Sequence, residues 1–92
     1  MDRFVIEREA TIVNQEGLHA RPAARIVRLA SSFVSDIELA KDGLDVNAKS
    51  IMGVMMLAAE CGSSIIIRAR GPDAEAAVQA LAELVASGFG EE

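Results

Sequence analysis

The sequence has no tryptophan or tyrosine, three phenylalanines, one cysteine and one histidine among its 92 residues. Without stacking aromatics, and with a net charge of −5, it offers nucleic acid neither a stacking platform nor a basic face. The lone Cys61 excludes a disulfide framework and a cysteine-based zinc pattern, and it fits a reducing compartment. No apolar run approaches the ~18–20 residues that span a bilayer. The N-terminus alternates charged and apolar residues, so neither a signal peptide nor membrane insertion is expected, and the expected location is the cytoplasm. Paired catalytic carboxylates, a Gly-rich phosphate loop and metal-ligand spacing are all missing. No metal or cofactor is expected.

What is present is apolar residue in regular patterns. At 51% hydrophobic and 25% charged, the chain reads as globular. Its length suits one domain over residues 1–92, burying roughly 60–65% of its unfolded surface. No repeat, linker or low-complexity segment interrupts it.

The alternation from about Phe4 to Val13 predicts a first strand, with Ala10 and Ile12 on one face and Glu7, Glu9 and Thr11 on the other. Ala23, Ile26, Val27 and Ala30 recur at helical spacing and predict a first helix to about Ser32. Asp36 to Lys41 and Leu44 to Asn47 predict two strands joined by an Asp42-Gly43 hairpin. Ser50 is a good N-cap for a short helix from Ile51 to about Leu57, which Gly53 weakens by roughly 1 kcal/mol. Ser64 to Arg70 predict a fourth strand. Asp73 is expected to cap a last helix with Ala74, Ala77, Val78, Leu81 and Val85 inward and Gly88 as its stop. The order is βαββαβα. Strands polar on one face predict an antiparallel α+β sheet, with one side wet and helices on the other.

The only histidine lies in Gly17-Leu18-His19-Ala20-Arg21-Pro22, immediately before the first helix. Pro22 suits the first turn, where backbone N–H groups lack intrahelical partners. His19 is therefore expected at or beside the N-cap, with the N–H groups of Ala20 and Arg21 free to hold an anion. A neutral imidazole is a good nucleophile toward phosphorus, and the phosphorylated product is an anion that the same N–H groups can hold. Arg21 opposes the helix dipole there, which hints at a local anion that its planar fork could grip.

Gly17-Leu18-His19-Ala20-Arg21-Pro22-Ala23-Ala24, followed by Ala48-Lys49-Ser50-Ile51-Met52-Gly53-Val54-Met55, closely resembles the HPr family. HPr proteins are the histidine phosphocarriers of the bacterial phosphoenolpyruvate-dependent phosphotransferase system. The likeness runs from about Glu9 to about Gly88. It implies an HPr-like open-faced β-sandwich, with a four-stranded sheet in the order 1-4-2-3 and three helices on one face. That order would set strand one beside strand four, so that Glu7 and Glu9 could face Arg68 and Arg70 on the wet side.

The resemblance also implies roles. His19 would take a phosphoryl group on Nδ1 from enzyme I and pass it to IIA proteins. Arg21 would steady the group in transit. Ser50, otherwise only a cap, would be a regulatory phosphorylation site for an HPr kinase/phosphorylase where one exists. Ile51, Met52 and Met55 would form an exposed docking patch, to which adaptable methionines are suited, and Arg28 a basic docking position. Glu16 lies close enough in sequence to tune the site. The implied protein is a monomeric carrier, a substrate of its partners and not itself an enzyme. Rival readings remain: a regulatory module working through phosphorylated Ser50, a carrier in a nitrogen-type regulatory branch, or a small α+β ligand-binding domain without phosphoryl chemistry.

Overall fold

The computed structural model describes residues 5–91. Its elements are β1 (Ile6–Thr11), α1 (Ala20–Ser31), β2 (Asp36–Lys41), β3 (Leu44–Asn47), α2 (Ile51–Met56), β4 (Ser64–Arg70) and α3 (Ala74–Ala86), then a 3-10 turn at Gly88–Gly90. The sheet is antiparallel in the order β1-β4-β2-β3. The part of the first strand expected at Phe4 lies outside the described residues. Among the described residues, no helix is long and apolar enough to cross a membrane.

Period-two alternation builds the core from the sheet side. Ile37, Leu39, Val46, Ile65, Ile67 and Ala69 are buried, and polar residues alternate with most of them. The helices cover that face with Ala23, Ile26 and Ala30 of α1, Val54 of α2, and Ala74, Ala77, Val78, Leu81 and Val85 of α3. Many of these contacts are alanines, which let helix backbones approach closely and leave the volume to Ile, Leu and Val. Asp42 and Gly43 both take positive φ, 52° and 84°, as a two-residue hairpin turn requires.

Among the described residues, the wet face carries an ion-pair network centred on Arg68. Arg68 Nε donates to Glu7 Oε2 at 2.6 Å on one side, and Arg68 Nη1 reaches Glu38 Oε1 at 3.4 Å on the other. Glu9 does not face Arg70. In an antiparallel pair, two residues up one strand lie opposite two residues down the other. With Glu7 opposite Arg68, Glu9 falls opposite Ile66, and Arg70 pairs with Asp36 on β2 instead.

Asp73 occupies the α3 N-cap position, but its side chain makes no capping bond. The carboxylate turns instead to the loop between α1 and β2. It accepts from Val34 N–H at 3.0 Å, Ser35 N–H at 2.9 Å and the Ser35 hydroxyl. The Ser35 hydroxyl hydrogen bond, reinforced by the Val34 amide, holds the Asp73 carboxyl below its ordinary value. A depressed folded-state pKa stabilises the fold fully above the ordinary carboxylate range, and that stability is lost as pH falls through the folded value. We expect the urea midpoint of the wild type to fall more steeply below about pH 4 than that of Asp73→Asn. Parallel midpoint curves for the two proteins would remove Asp73 from the acid response.

Candidate functional site

The loop that presents His19 is shaped by a glycine and an asparagine. Gly17 has φ +70°, and a Cβ there would lie 2.4 Å from Ala59 O. Only glycine lets the loop press this closely on the segment after α2. Leu18 N–H then donates to Ala59 O at 2.9 Å, so the chain leaving α2 is stitched directly to the His19 loop. Asn14, buried beneath, closes the turn by donating from Nδ2 to Gly17 O at 2.8 Å.

His19 is the N-cap of α1, in extended conformation, and its ring makes no capping hydrogen bond. The imidazole is therefore not consumed in ending the helix. Ala23 N–H makes the first helical bond, to His19 O at 3.0 Å, and Pro22 has no N–H. Among the described residues, the N–H groups of Ala20 and Arg21 have no backbone acceptor and lie at the open end of the dipole. The His19 side chain is 36% exposed. It lines a hollow of about 480 Å³ with Gln15, Glu16, Arg21, Arg25, Phe89, Gly90 and Glu91. An exposed nucleophilic ring, two guanidinium groups and free backbone N–H groups make this a place where a transient anion can be held.

Glu91 was not foreseen. Its Oε2 lies 3.1 Å from His19 Nε2, and its Oε1 lies 3.4 Å from the same atom and 3.1 Å from Asn14 Nδ2. The tail reaches back because Gly88, Phe89 and Gly90 all adopt positive φ, at 68°, 59° and 74°. Burial of the Phe89 ring, 1% exposed, repays the unusual conformation at that residue. Partial burial of Glu91 opposes its ionisation. The Asn14 and His19 hydrogen bonds and the nearby charge of Arg21 outweigh that effect and hold the carboxyl below the usual range. A lone aromatic between two glycines after a helix stop was the available signal that the tail packs inward.

The second motif folds as its spacing suggests. Ser50 Oγ accepts from Gly53 N–H at 3.1 Å and caps α2. A Cβ at Gly53 would make only ordinary contacts, at 3.4 Å to Asn47 O, Ser50 Oγ and Val46 Cβ, so the structure does not require glycine there. Val54 is the buried residue of α2, while Ile51, Met52 and Met55 are exposed, Met52 by 70%. Met56, 63% exposed, extends this apolar surface beyond the three residues expected. Arg28 is exposed in the last turn of α1 and does not line the His19 hollow; it lines a neighbouring shallow groove with Leu29, Ser32 and Leu84, and Arg25 borders both. Glu16 does line the hollow, as its place in the sequence suggested.

Residues 6–87 match the family model described as the PTS HPr component phosphorylation site. The chain belongs to the HPr family. It is 48% identical over 87 residues to phosphocarrier protein HPr of Cupriavidus necator, covering 95% of this chain and 98% of that one. Among solved structures it is similar to HPr-C-His from Thermoanaerobacter tengcongensis, with a TM-score of 0.91 and 49% identity over 95% of this chain and 98% of that chain. The HPr-like protein Crh of Bacillus subtilis is 43% identical over 81 residues, covering 88% of this chain and 95% of Crh. The sheet order and three-helix layer expected from the resemblance are those observed. An HPr is a phosphocarrier and not a catalyst, which directs attention to the group that would carry.

Proposed function

We propose that this chain relays phosphoryl groups in the cytoplasm, accepting them on His19 Nδ1 from enzyme I and passing them to IIA proteins. The observation that carries this reading is His19 at the α1 N-cap with its ring left uncommitted to capping. In acceptance, the Nδ1 lone pair forms the new N–P bond while the donor's bond to phosphorus breaks and its electron pair returns to the donor. The free N–H groups of Ala20 and Arg21 and the Arg21 guanidinium offset the charge of the arriving group. Release is the reverse, with the N–P electron pair returning to Nδ1. The exposed Ile51, Met52, Met55 and Met56 supply an apolar surface for partners, and Arg28 adds a charge at its margin of the molecule. No metal or cofactor enters the carrier's own step.

Incubation with phosphoenolpyruvate, enzyme I and magnesium tests the reading. Intact mass should show one phosphoryl group per chain, acid-labile and base-stable as a phosphoramidate is. A chain that stays unmodified while enzyme I itself is charged would refute it. Arg21→Ala should slow transfer in both directions by about tenfold or more, through loss of a charge-assisted contact. Its stability should change by less than about 0.5 kcal/mol, because the side chain is exposed. Rapid-quench kinetics equal to wild type would make Arg21 an ordinary surface residue.

Ser50 supports a regulatory layer on the same carrier. Its hydroxyl sits at a helix start, directly before the exposed residues of α2. A phosphate there meets a favourable dipole and would change the surface more than the fold.

A further inference from the structure

We infer that Glu91 is a positioning residue that fixes the proton of the neutral His19 ring on Nε2 and leaves the Nδ1 lone pair bare. The inference rests on the carrier reading for its purpose but not for its geometry. Asn14 Nδ2 has two acceptors, Gly17 O at 2.8 Å and Glu91 Oε1 at 3.1 Å. Both partners accept, so the orientation of the Asn14 amide is settled: its nitrogen faces them. Glu91 receives that N–H on Oε1 and presents Oε2 to His19 Nε2 at 3.1 Å. An ionised carboxylate can only accept. The imidazole nitrogen facing it must therefore be the donor and carry the proton. In the neutral ring the other nitrogen then has no proton.

This arrangement matters in both half-reactions. On acceptance, Nδ1 attacks phosphorus without first losing a proton. While the group is carried, Nε2 keeps its hydrogen bond to Glu91. On release, the N–P bond breaks, its electron pair returns to Nδ1, and the ring departs as neutral imidazole instead of an imidazolate. The tail can perform this role because Phe89 is seated in the core two residues before Glu91. Asn14 and Glu91 are 77 residues apart in sequence, yet Asn14 holds the carboxylate that meets the ring.

The test uses the full chain with 15N-labelled histidine and reads the two ring nitrogens by long-range 1H–15N correlation, at a pH where the ring is neutral. In the wild type, Nε2 should be the protonated, pyrrole-type nitrogen. Glu91→Gln gives the sharpest contrast. Its amide oxygen must still receive the Asn14 N–H, so its own N–H₂ turns toward His19 Nε2 and favours the opposite tautomer. The ratio of Nε2–H to Nδ1–H should fall by about tenfold, equivalent to one charge-assisted hydrogen bond. Glu91→Ala, which can neither accept nor donate, should fall between the two. An unchanged ratio in Glu91→Gln, or a wild-type ring protonated on Nδ1, would overturn the inference. Neither measurement needs enzyme I, so failure here is separate from failure of the carrier reading, which rests on acid-labile labelling.

Discussion

His19→Ala should carry no acid-labile phosphate after incubation with phosphoenolpyruvate and enzyme I, while the wild type carries one. The loss should be complete, because the bond to phosphorus is made by the imidazole and alanine offers no nucleophile in its place. His19 is the only histidine in the chain, so no second imidazole can substitute. The fold should survive. The ring makes no capping bond, is partly exposed, and contacts Glu91 in a pair open enough to water to contribute little. Far-UV circular dichroism should match wild type, and stability should change by less than about 1 kcal/mol. Acid-labile phosphate on the His19→Ala protein would move the site elsewhere.

Phosphorylation of Ser50 should slow acceptance at His19 by at least about tenfold without unfolding the protein, because like charges and desolvation at an interface each oppose docking. The phosphate adds about −1.5 to −2 charges at the start of α2. The dipole there accommodates the charge, and the backbone need not move. In the proposed docking the cost falls on the exposed surface of Ile51, Met52, Met55 and Met56, which a partner would cover. Ser50→Asp should show a weaker form of the effect as a raised apparent KM in the enzyme I reaction. Ser50→Ala should remain a good acceptor and lose about 1 kcal/mol from the missing cap. Equal rates for Ser50-phosphorylated and unmodified protein at sub-saturating concentration would leave Ser50 as a cap alone.

The two predictions draw on different parts of the sequence, and those parts were legible to different degrees. Period and punctuation are local, so the strands, the Asp42-Gly43 hairpin, the Ser50 cap and the position of His19 ahead of α1 could be read directly. The inward faces of α1 and α3 followed from the same spacing. Register was harder. Alternation places Glu9 and Arg70 on the wet face, but it does not say which residues lie opposite each other, and both found neighbours other than each other. Asp73 has the right type and place for a cap, yet two backbone amides and a hydroxyl from a loop 38 residues away compete for its carboxylate and win. Met56 continues the exposed face of a helix too short for its period to be read. Glu91 meets His19 across 72 residues, and nothing in local spacing encodes that distance. The encoding lies in Gly88-Phe89-Gly90, where two flexible residues flank the one apolar group large enough to anchor the tail.

The most direct test of the relay is its second half. The chain is phosphorylated, freed of enzyme I and phosphoenolpyruvate, and mixed with a cognate IIA protein. Phosphate should leave His19 and appear on the IIA protein within the mixing time of a rapid-quench experiment, one group gained for each group lost. If the phosphate instead disappears from His19 at the same slow rate with and without the IIA protein, and none reaches that protein, the chain is not a carrier to that class of acceptor and the central reading fails.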